Sequence, residues 1–278
     1  MPDKGELIRL AVFGMPVKQS KSPYIHQQFA LQFDLQIDYP AIESTALEFA
    51  DRVQKLADAG ARGCNITAPL KHEAWDLAHR ASTGSERARA ANTLIFEKAD
   101  DWYAENTDGR GLISDLVQHL GRDLPGSRIL IIGAGGATAG ILSDLLQQAP
   151  TRIVIGNRTA ERAEGLAKRF YDLGPVSSST MKQLDNHAPF DLVINATSLG
   201  HIGQVPPMPD TLFAPNALCY DLNYGPVAAP LRQHCDARGI AYRDGLGMLV
   251  EQAAASFELW TGCKPDTGPI LQKLRKDH

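Results

Sequence analysis

Residues 129–142 have the sequence ILIIGAGGATAGIL, in which an apolar run is followed by a glycine-rich loop and a helical pattern. The apolar run predicts a buried strand, and the residues from Thr138 onward predict a helix. Glycine allows the backbone to turn tightly and to approach a pyrophosphate, and a helix N-terminus attracts negative charge. We therefore expect a Rossmann-type domain over about residues 127–243. Its loop is expected to bind a dinucleotide through Gly133, Ala134, Gly135, Gly136 and Ala137.

The loop departs from the strict GxGxxG pattern, because Thr138 stands where the third glycine would be. A tight turn that binds no ligand is the alternative interpretation. The succession of strand, loop, helix and a further strand favours the nucleotide site, since this is the context in which a Rossmann fold binds a pyrophosphate.

The end of the next predicted strand, 153–155, indicates which cofactor is bound. An acidic residue about 20 residues after the glycines binds the ribose of NAD, whereas a nearby arginine accommodates the 2′-phosphate of NADP. This chain has no acidic residue at the strand end, and two solvated surface arginines are the alternative to a phosphate site. We expect NADP to contact Asn157, Arg158, Thr159 and Arg162.

The composition is that of an ordinary globular protein, with 44% hydrophobic and 22% charged residues among 278. The formal net charge of −4 gives no basic surface for nucleic acid or an anionic membrane. The apolar runs are strand-sized and no signal-like segment begins the chain. The four cysteines lack CxxC spacing and the eight histidines lack an HExxH arrangement. We therefore expect a cytoplasmic protein with free thiols and no metal site.

Strand-like and helix-like segments alternate nearly throughout, which predicts a layered α/β protein, and the length favours two domains. The segment 121–126 is rich in chain breakers and is a candidate linker. Ser22 is predicted to cap a helix that starts at Pro23, and a capping box at Thr45 starts another that Gly60 ends. Further helices are predicted from His72, from Asp108, over 246–260 and over 269–276. Strands are predicted over 8–13, 35–42, 63–67, 93–96, 102–105, 129–132, 153–155, 192–195, 218–222 and 240–242.

Polar residues cluster in several segments that otherwise have the pattern of a core. They are SKSPYIH at 20–26, NITAPLK at 65–71, ANT at 91–93, ENTDG at 105–109 and DGLGMLVEQA at 244–253. Taken in order with the glycine loop and 157–159, these segments resemble the shikimate dehydrogenase family. The resemblance extends from about residue 10 to about residue 265.

The resemblance implies an α/β fold with a split substrate domain, over 1–108 and completed by C-terminal helices over 246–278. A Rossmann NADP-binding domain with a parallel sheet would occupy 109–245, and the substrate would lie in the cleft. The implied reaction is the reversible, NADP-dependent oxidation of shikimate to 3-dehydroshikimate, in the pathway to chorismate and the aromatic amino acids. A monomer or a homodimer is expected, with no nucleic-acid or membrane partner.

The resemblance also implies the site residues. A helix N-terminus with serine hydroxyls suits the carboxylate of shikimate, and amide and hydroxyl groups suit its three hydroxyls. Gly245 and Met248 are expected to border the nicotinamide of NADP. The substrate is expected to contact Ser20, Ser22, Thr67, Lys71, Asn92, Asp108, Tyr224 and Gln252.

Lys71 and Asp108 are the expected catalytic residues. When hydride leaves C3 of shikimate, the C3 hydroxyl must lose a proton, and the reverse reaction must supply one. A lysine and a carboxylate 37 residues apart are usually two surface charges, but both lie in segments that match the family. Whether Lys71 alone or the pair handles the proton is open.

Two alternatives remain within this family. A quinate/shikimate dehydrogenase would accept quinate as well and would often prefer NAD, against which Asn157, Arg158 and Thr159 argue. A catalytically silent sensor of shikimate-type ligands would lack the lysine that stands here at position 71.

Overall fold

The structure, a computed structural model, describes residues 5–98 and 101–276. Contacts between Cα atoms divide the chain into two units. The first ends at Gly111 and resumes at Leu249, and the second is Leu112–Met248. The breaker-rich segment 121–126 lies inside the second unit, so the division falls about ten residues before it.

The first unit contains a mixed sheet and a small parallel one. Its described strands are β1 Leu7–Arg9, β2 Val12–Gly14, β3 Gln36–Asp38, β4 Ala41–Glu43, β5 Gly63–Ile66, β6 Arg80–Ala81, β7 Thr93–Lys98 and β8 Asp101–Glu105. β1 pairs with β3, and the larger sheet has the order β4-β2-β5-β7-β8-β6. β7 and β8 form the predicted antiparallel hairpin.

Two predicted strands of the first unit are each divided in two. The run 8–13 separates into β1 and β2, and the run 35–42 into β3 and β4, because the chain changes partners between the small sheet and the large one. Pro40, which has no N–H to donate, lies at one of these changes. Its carbonyl accepts from the N–H of Val12. A continuous apolar pattern carries no signal of such a change.

The helices complete the list of regular elements. They are α1 Ser22–Leu31, α2 Ala46–Asp58, α3 Lys71–Leu77, α4 Thr83–Ala88, α5 Asp108–Ser114, α6 Gly136–Gln147, α7 Ala160–Phe170, α8 Ala229–Asp236, α9 Leu246–Thr261 and α10 Gly268–Lys276. A π-helical turn, Asp115–His119, continues α5. Thr45 begins α2 as predicted, and its hydroxyl bonds the Glu48 carboxylate at 3.2 Å. Ser22, predicted as a cap, is instead the first residue of α1 after Lys21.

The second unit contains a parallel six-stranded sheet. Its strands are β9 Arg128–Ile132, β10 Arg152–Asn157, β11 Val176–Thr180, β12 Phe190–Asn195, β13 Phe213–Asp221 and β14 Ala241–Arg243. Their order is β11-β10-β9-β12-β13-β14, the order of a Rossmann fold. The direction of winding reverses between β9 and β12, and ligands of such sheets bind at the carboxyl ends of the strands beside that reversal. The glycine loop follows β9 directly, so the fold places it there.

Asp221 ties together the carboxyl ends of two strands of this sheet. Its Oδ1 accepts from Asn195 Nδ2 at 2.9 Å and from Asn223 Nδ2 at 2.8 Å. The Asn195 side chain in turn accepts from the backbone N–H of Thr197 at 3.1 Å. Burial raises the pKa of the Asp221 carboxyl to about 6. The edge of the sheet is therefore held by polar contacts around a carboxyl group that holds its proton more tightly than an exposed one.

Replacing Asp221 with Asn should remove a pH dependence of folding stability. The folded carboxyl is protonated up to a pKa of about 6, whereas in the unfolded chain the pKa is about 3.9. Folding therefore takes up a proton between these values, and wild-type stability falls as the pH rises from about 4 to about 6. The loss is roughly 2–3 kcal/mol.

Urea unfolding of the wild type and of Asp221→Asn at about pH 4.5 and about pH 7.5 measures this effect. The variant retains an Oδ1 acceptor, so it serves as its own control for the strand-end contacts. An equal difference in unfolding free energy at the two pH values would show that Asp221 does not titrate in this way.

Candidate functional site

The glycine loop after β9 is shaped by one glycine and one threonine. Gly133 has a φ of +112°, and a Cβ on it would come within 2.9 Å of the carbonyl oxygen of Ala196. Only glycine fits both the conformation and this close approach. Thr138 Oγ1, fully buried, donates to the Gly133 carbonyl at 2.7 Å. The residue at the third glycine position therefore fastens the loop to the helix that follows it.

The next residues of the loop face open space. No atom lies within 4 Å of a Cβ built on Gly135 or Gly136, and both residues are exposed. α6 begins at Gly136, and Ala134 and Ala137 on either side are partly exposed. Backbone N–H groups at the start of a 12-residue helix attract a phosphate, and the lack of side chains admits it closely. These residues therefore fit the pyrophosphate of a dinucleotide.

The carboxyl end of β10 presents the predicted ribose-phosphate residues. Asn157 ends the strand, and its Nδ2 donates to the carbonyl of Thr159 at 2.8 Å, which shapes the turn into α7. Arg158 and Thr159 are exposed in that turn, and Arg162 is exposed in the first turn of α7. The arrangement offers two cations and a hydroxyl beside the N-terminus of α7, a combination that attracts a phosphate.

Three further predicted residues lie near the carboxyl end of β13, in the second unit. Gly245 is buried, and its N–H donates to the carbonyl of Asn223 at 2.9 Å. Met248 lies in the first turn of α9 and is partly exposed. Burial raises the pKa of Tyr224, so its phenol is neutral near pH 7 and can donate a hydrogen bond.

In the first unit, the predicted catalytic residues are in direct contact. Lys71 Nζ lies 2.5 Å from Asp108 Oδ2. Lys71 is the first residue of α3 and Asp108 the first residue of α5, so two helix starts bring the charges together. The Asp108 side chain is 7% exposed and that of Lys71 is 22% exposed. A carboxylate so deeply buried requires a charged partner, and Lys71 supplies it.

Asn92 and Gln252 extend this pair into a cluster. Asn92 Nδ2 donates to Asp108 Oδ1 at 2.9 Å and to Gln252 Oε1 at 3.0 Å. Gln252 Nε2 donates to the carbonyl of Leu249 at 2.9 Å, within α9. The structure thus brings together four of the predicted substrate residues, Lys71, Asn92, Asp108 and Gln252.

The other predicted substrate residues of the first unit are placed separately. The backbone N–H of Ser22 donates to Ser20 Oγ at 3.2 Å, so the two serines lie together at the start of α1. Thr67 follows β5, and its N–H donates to the Phe13 carbonyl at 2.8 Å. Over the described ranges, none of these three side chains bonds directly to the Lys71–Asp108 cluster. Their hydroxyls remain available for another partner.

A buried polar network beneath the cluster was not predicted from the sequence. Asn65 Oδ1 accepts from Tyr39 Oη at 2.5 Å and from His26 Nε2 at 3.1 Å. Asn65 Nδ2 donates to the carbonyl of Asn92 at 3.0 Å and to Ser256 Oγ at 3.0 Å. Burial lowers the pKa of His26 to about 3, which keeps the imidazole neutral. An asparagine inside the apolar strand β5 was the available sequence signal.

A second unpredicted residue joins the network to the cluster. Thr107 precedes Asp108, and its N–H donates to Asn92 Oδ1 at 2.8 Å. Its hydroxyl accepts from Asn92 Nδ2 at 2.9 Å and bonds the Gln252 carbonyl at 3.0 Å. The orientation of the Asn92 amide is therefore fixed from both sides.

The helices of the described chain include none that is long and apolar enough to cross a membrane. Over residues 5–98 and 101–276, no group of three or more histidine, cysteine or acidic side chains is arranged to hold a metal ion.

Comparison with known proteins identifies three family models along this chain. Residues 12–94 match the shikimate dehydrogenase substrate binding domain, and residues 115–202 match the shikimate/quinate 5-dehydrogenase model. Residues 245–275 match the shikimate 5′-dehydrogenase C-terminal domain.

Individual relatives cover nearly the whole chain. The NADP(+) shikimate dehydrogenase of Alkalilimnicola ehrlichii is 46% identical over 97% of this chain and 99% of its own length. The structure of the Ael1 enzyme from Pseudomonas putida has a TM-score of 0.88 at 39% identity and covers 96% of this chain and 98% of its own. The shikimate 5-dehydrogenase of Thermus thermophilus, solved with NADP(H) and shikimate, has a TM-score of 0.85 at 30% identity and covers 97% and 99%. This chain belongs to the shikimate dehydrogenase family.

Proposed function

We propose that the chain catalyses the reversible, NADP-dependent oxidation of shikimate to 3-dehydroshikimate. The observation that carries this proposal is the contact between Lys71 and Asp108, within hydrogen-bond reach of Asn92 and beside Gln252. This cluster combines a proton-transferring pair with directional amide groups, which a hydroxylated carboxylic acid requires. The relatives named above include NADP(+) shikimate dehydrogenases, and the reaction belongs to the route to chorismate and the aromatic amino acids.

The second unit supplies the cofactor site. NADP accepts hydride from C3 of shikimate in one direction and returns it in the other. Gly135 and Gly136 bind its pyrophosphate at the start of α6, since both face open space there. Arg158 and Arg162 bind its 2′-phosphate, and Gly245 and Met248 border its nicotinamide.

Lys71 and Asp108 manage the proton at the C3 oxygen. Oxidation of the alcohol breaks its O–H bond as the C–H bond breaks, so a base must take up the proton, and reduction needs the same group as an acid. Asp108 is held by both Lys71 and Asn92, which fixes the carboxylate beside the ammonium group. The pair is therefore preorganised to bind the C3 hydroxyl and exchange its proton.

The remaining polar groups hold the substrate in register. Ser20 and Ser22, at the start of the ten-residue α1, bind the shikimate carboxylate. Thr67, Asn92 and Gln252 bind ring hydroxyls, and the neutral phenol of Tyr224 donates a further hydrogen bond.

We also propose the domain boundaries 1–108 with 246–278, and 109–245, on the strength of a contact division that falls within three residues of each. The chain is a cytoplasmic protein and a monomer or homodimer. Analytical ultracentrifugation of the full chain distinguishes the two oligomeric states.

The activity itself is tested by steady-state rates with the purified protein. We expect kcat/KM for shikimate with NADP to exceed that for shikimate with NAD, and that for quinate with either cofactor, by roughly tenfold or more. Formation of NADPH or NADH is followed by absorbance. Comparable rates with quinate and NAD would identify a quinate/shikimate dehydrogenase, and no turnover with any pair would contradict the proposed reaction.

Lys71→Ala should lower kcat by roughly 10²–10⁴-fold, with a smaller effect on the KM for shikimate, because the variant lacks the group that exchanges the C3 proton. The matched control is Lys55→Ala, which removes an exposed lysine of the same unit from α2. Near-normal kcat in Lys71→Ala, with the control unchanged, would remove Lys71 from the mechanism.

Cofactor choice should depend on the two arginines that follow β10. In Arg158→Ala/Arg162→Ala the KM for NADP should rise about tenfold or more, because charge-assisted hydrogen bonds to the 2′-phosphate are lost. The KM for NAD, which lacks that phosphate, should stay within about twofold. Arg232→Ala, an exposed arginine of α8, is the control. Equal changes for NADP and NAD would place the 2′-phosphate elsewhere.

A further inference from the structure

A buried carboxylate and a buried phenol form a pair in the second unit that the proposed reaction does not use. Tyr220, on β13, donates from its hydroxyl to Asp115 Oδ2 at 2.7 Å, and both side chains are fully buried. Asp115 opens the π-helical turn after α5. A charge at such a depth is costly, so this pair requires a reason beyond ordinary packing.

The pair lies against the first turn of α9. A Cβ on Gly247 would collide with both oxygens of the Asp115 carboxylate, which occupies the space that any side chain at position 247 would need. Gly247 is thus required by the carboxylate. The negative charge lies at the N-terminus of a 16-residue helix, where the helix dipole favours it.

Tyr220 connects the carboxylate to the backbone of this turn. The N–H of Met248 makes a hydrogen bond to the Tyr220 phenol oxygen, which at the same time donates to Asp115. Burial and the nearby Asp115 charge raise the pKa of Tyr220, so the phenol keeps the proton that it donates. The phenol therefore bridges Asp115 and Met248 without changing its charge near neutral pH.

The other end of the same segment is also fastened. The N–H of Gly245 donates to the carbonyl of Asn223 at 2.9 Å, just beyond β13. Residues 245–248 are consequently held at one end by the strand terminus and at the other by the buried pair. A segment of four residues fastened at both ends has little freedom to move.

We propose that Tyr220 and Asp115 are positioning residues for the nicotinamide half of NADP. They act by fixing Met248 and the first turn of α9, and this rests on the proposed function, in which Gly245 and Met248 border the nicotinamide. The adenosine half is bound elsewhere, by the glycine loop and the arginines after β10. The two halves of the cofactor therefore depend on different parts of the unit.

The experiment compares two ligands that differ only in the nicotinamide. NADP and 2′-phospho-ADP-ribose, which lacks that ring, are titrated against the wild type and Tyr220→Phe by calorimetry. We expect the Kd of NADP to rise about five- to tenfold in the variant, since Met248 loses its acceptor, and the Kd of 2′-phospho-ADP-ribose to stay within about twofold. In turnover, kcat should fall while the KM for shikimate is unchanged.

Tyr242→Phe is the matched control. Its hydroxyl donates to the Ala228 carbonyl at 3.3 Å from β14, in the same sheet but away from α9, so both affinities should equal those of the wild type. A second variant, Gly247→Ala, should reproduce the selective loss of NADP affinity by displacing the Asp115 carboxylate. It tests the same turn without touching the phenol.

Equal weakening of both ligands in Tyr220→Phe would show a general structural role and overturn the proposal, as would unchanged affinity for both. The wild type separates this outcome from a failure of the proposed function. If wild-type protein binds NADP more tightly than 2′-phospho-ADP-ribose but does not oxidise shikimate, the reaction assignment fails while the positioning test still stands.

Discussion

The ion pair between Lys71 and Asp108 is the contact on which the rest of the first unit's site depends, because a carboxylate buried this deeply is tolerated only when its charge is paired and its oxygens are hydrogen-bonded. Lys71 satisfies one oxygen and Asn92 the other. Asn92 can do so only in one orientation of its amide, which Thr107 fixes. Each partner in turn requires a partner of its own, so the requirement extends down to Asn65 and its buried neighbours. The rigidity of the catalytic pair follows from this chain of satisfied donors and acceptors.

The second unit meets the same requirement differently. Asp221 accepts from amide donors, and burial raises its pKa to about 6. Asp115 accepts from the Tyr220 hydroxyl and lies at the N-terminus of α9. Amides and a phenol with a raised pKa keep their protons near neutral pH, whereas the ammonium group beside Asp108 can give one up. The difference separates an acid–base pair from carboxyl groups that shape the backbone around a ligand.

Local sequence was sufficient where the structural cause is local. The strand, loop and helix at 129–142 lie in consecutive residues, and the family and the α/β fold with a parallel sheet follow from such motifs and are confirmed. The division of 8–13 into two strands was missed because its cause is a change of partner about 30 residues away. β11 was missed because an edge strand of sequence VSSST has no apolar pattern. Asn65 was missed because its importance comes from partners on four other segments of the chain.

Thr138 and Gly247 show why a motif is better understood through contacts than through letters. A glycine at 138 would satisfy the familiar pattern, yet the threonine hydroxyl bonds the Gly133 carbonyl and holds the loop more firmly than a hydrogen atom could. At 247 the reverse holds, since a carboxylate from a distant segment fills the space of a side chain. A glycine next to a ligand loop can therefore be required by the ligand, by the backbone conformation, or by a buried charge. Only the third case links the loop to a residue more than a hundred positions away, and it is the case that a sequence pattern alone does not reveal.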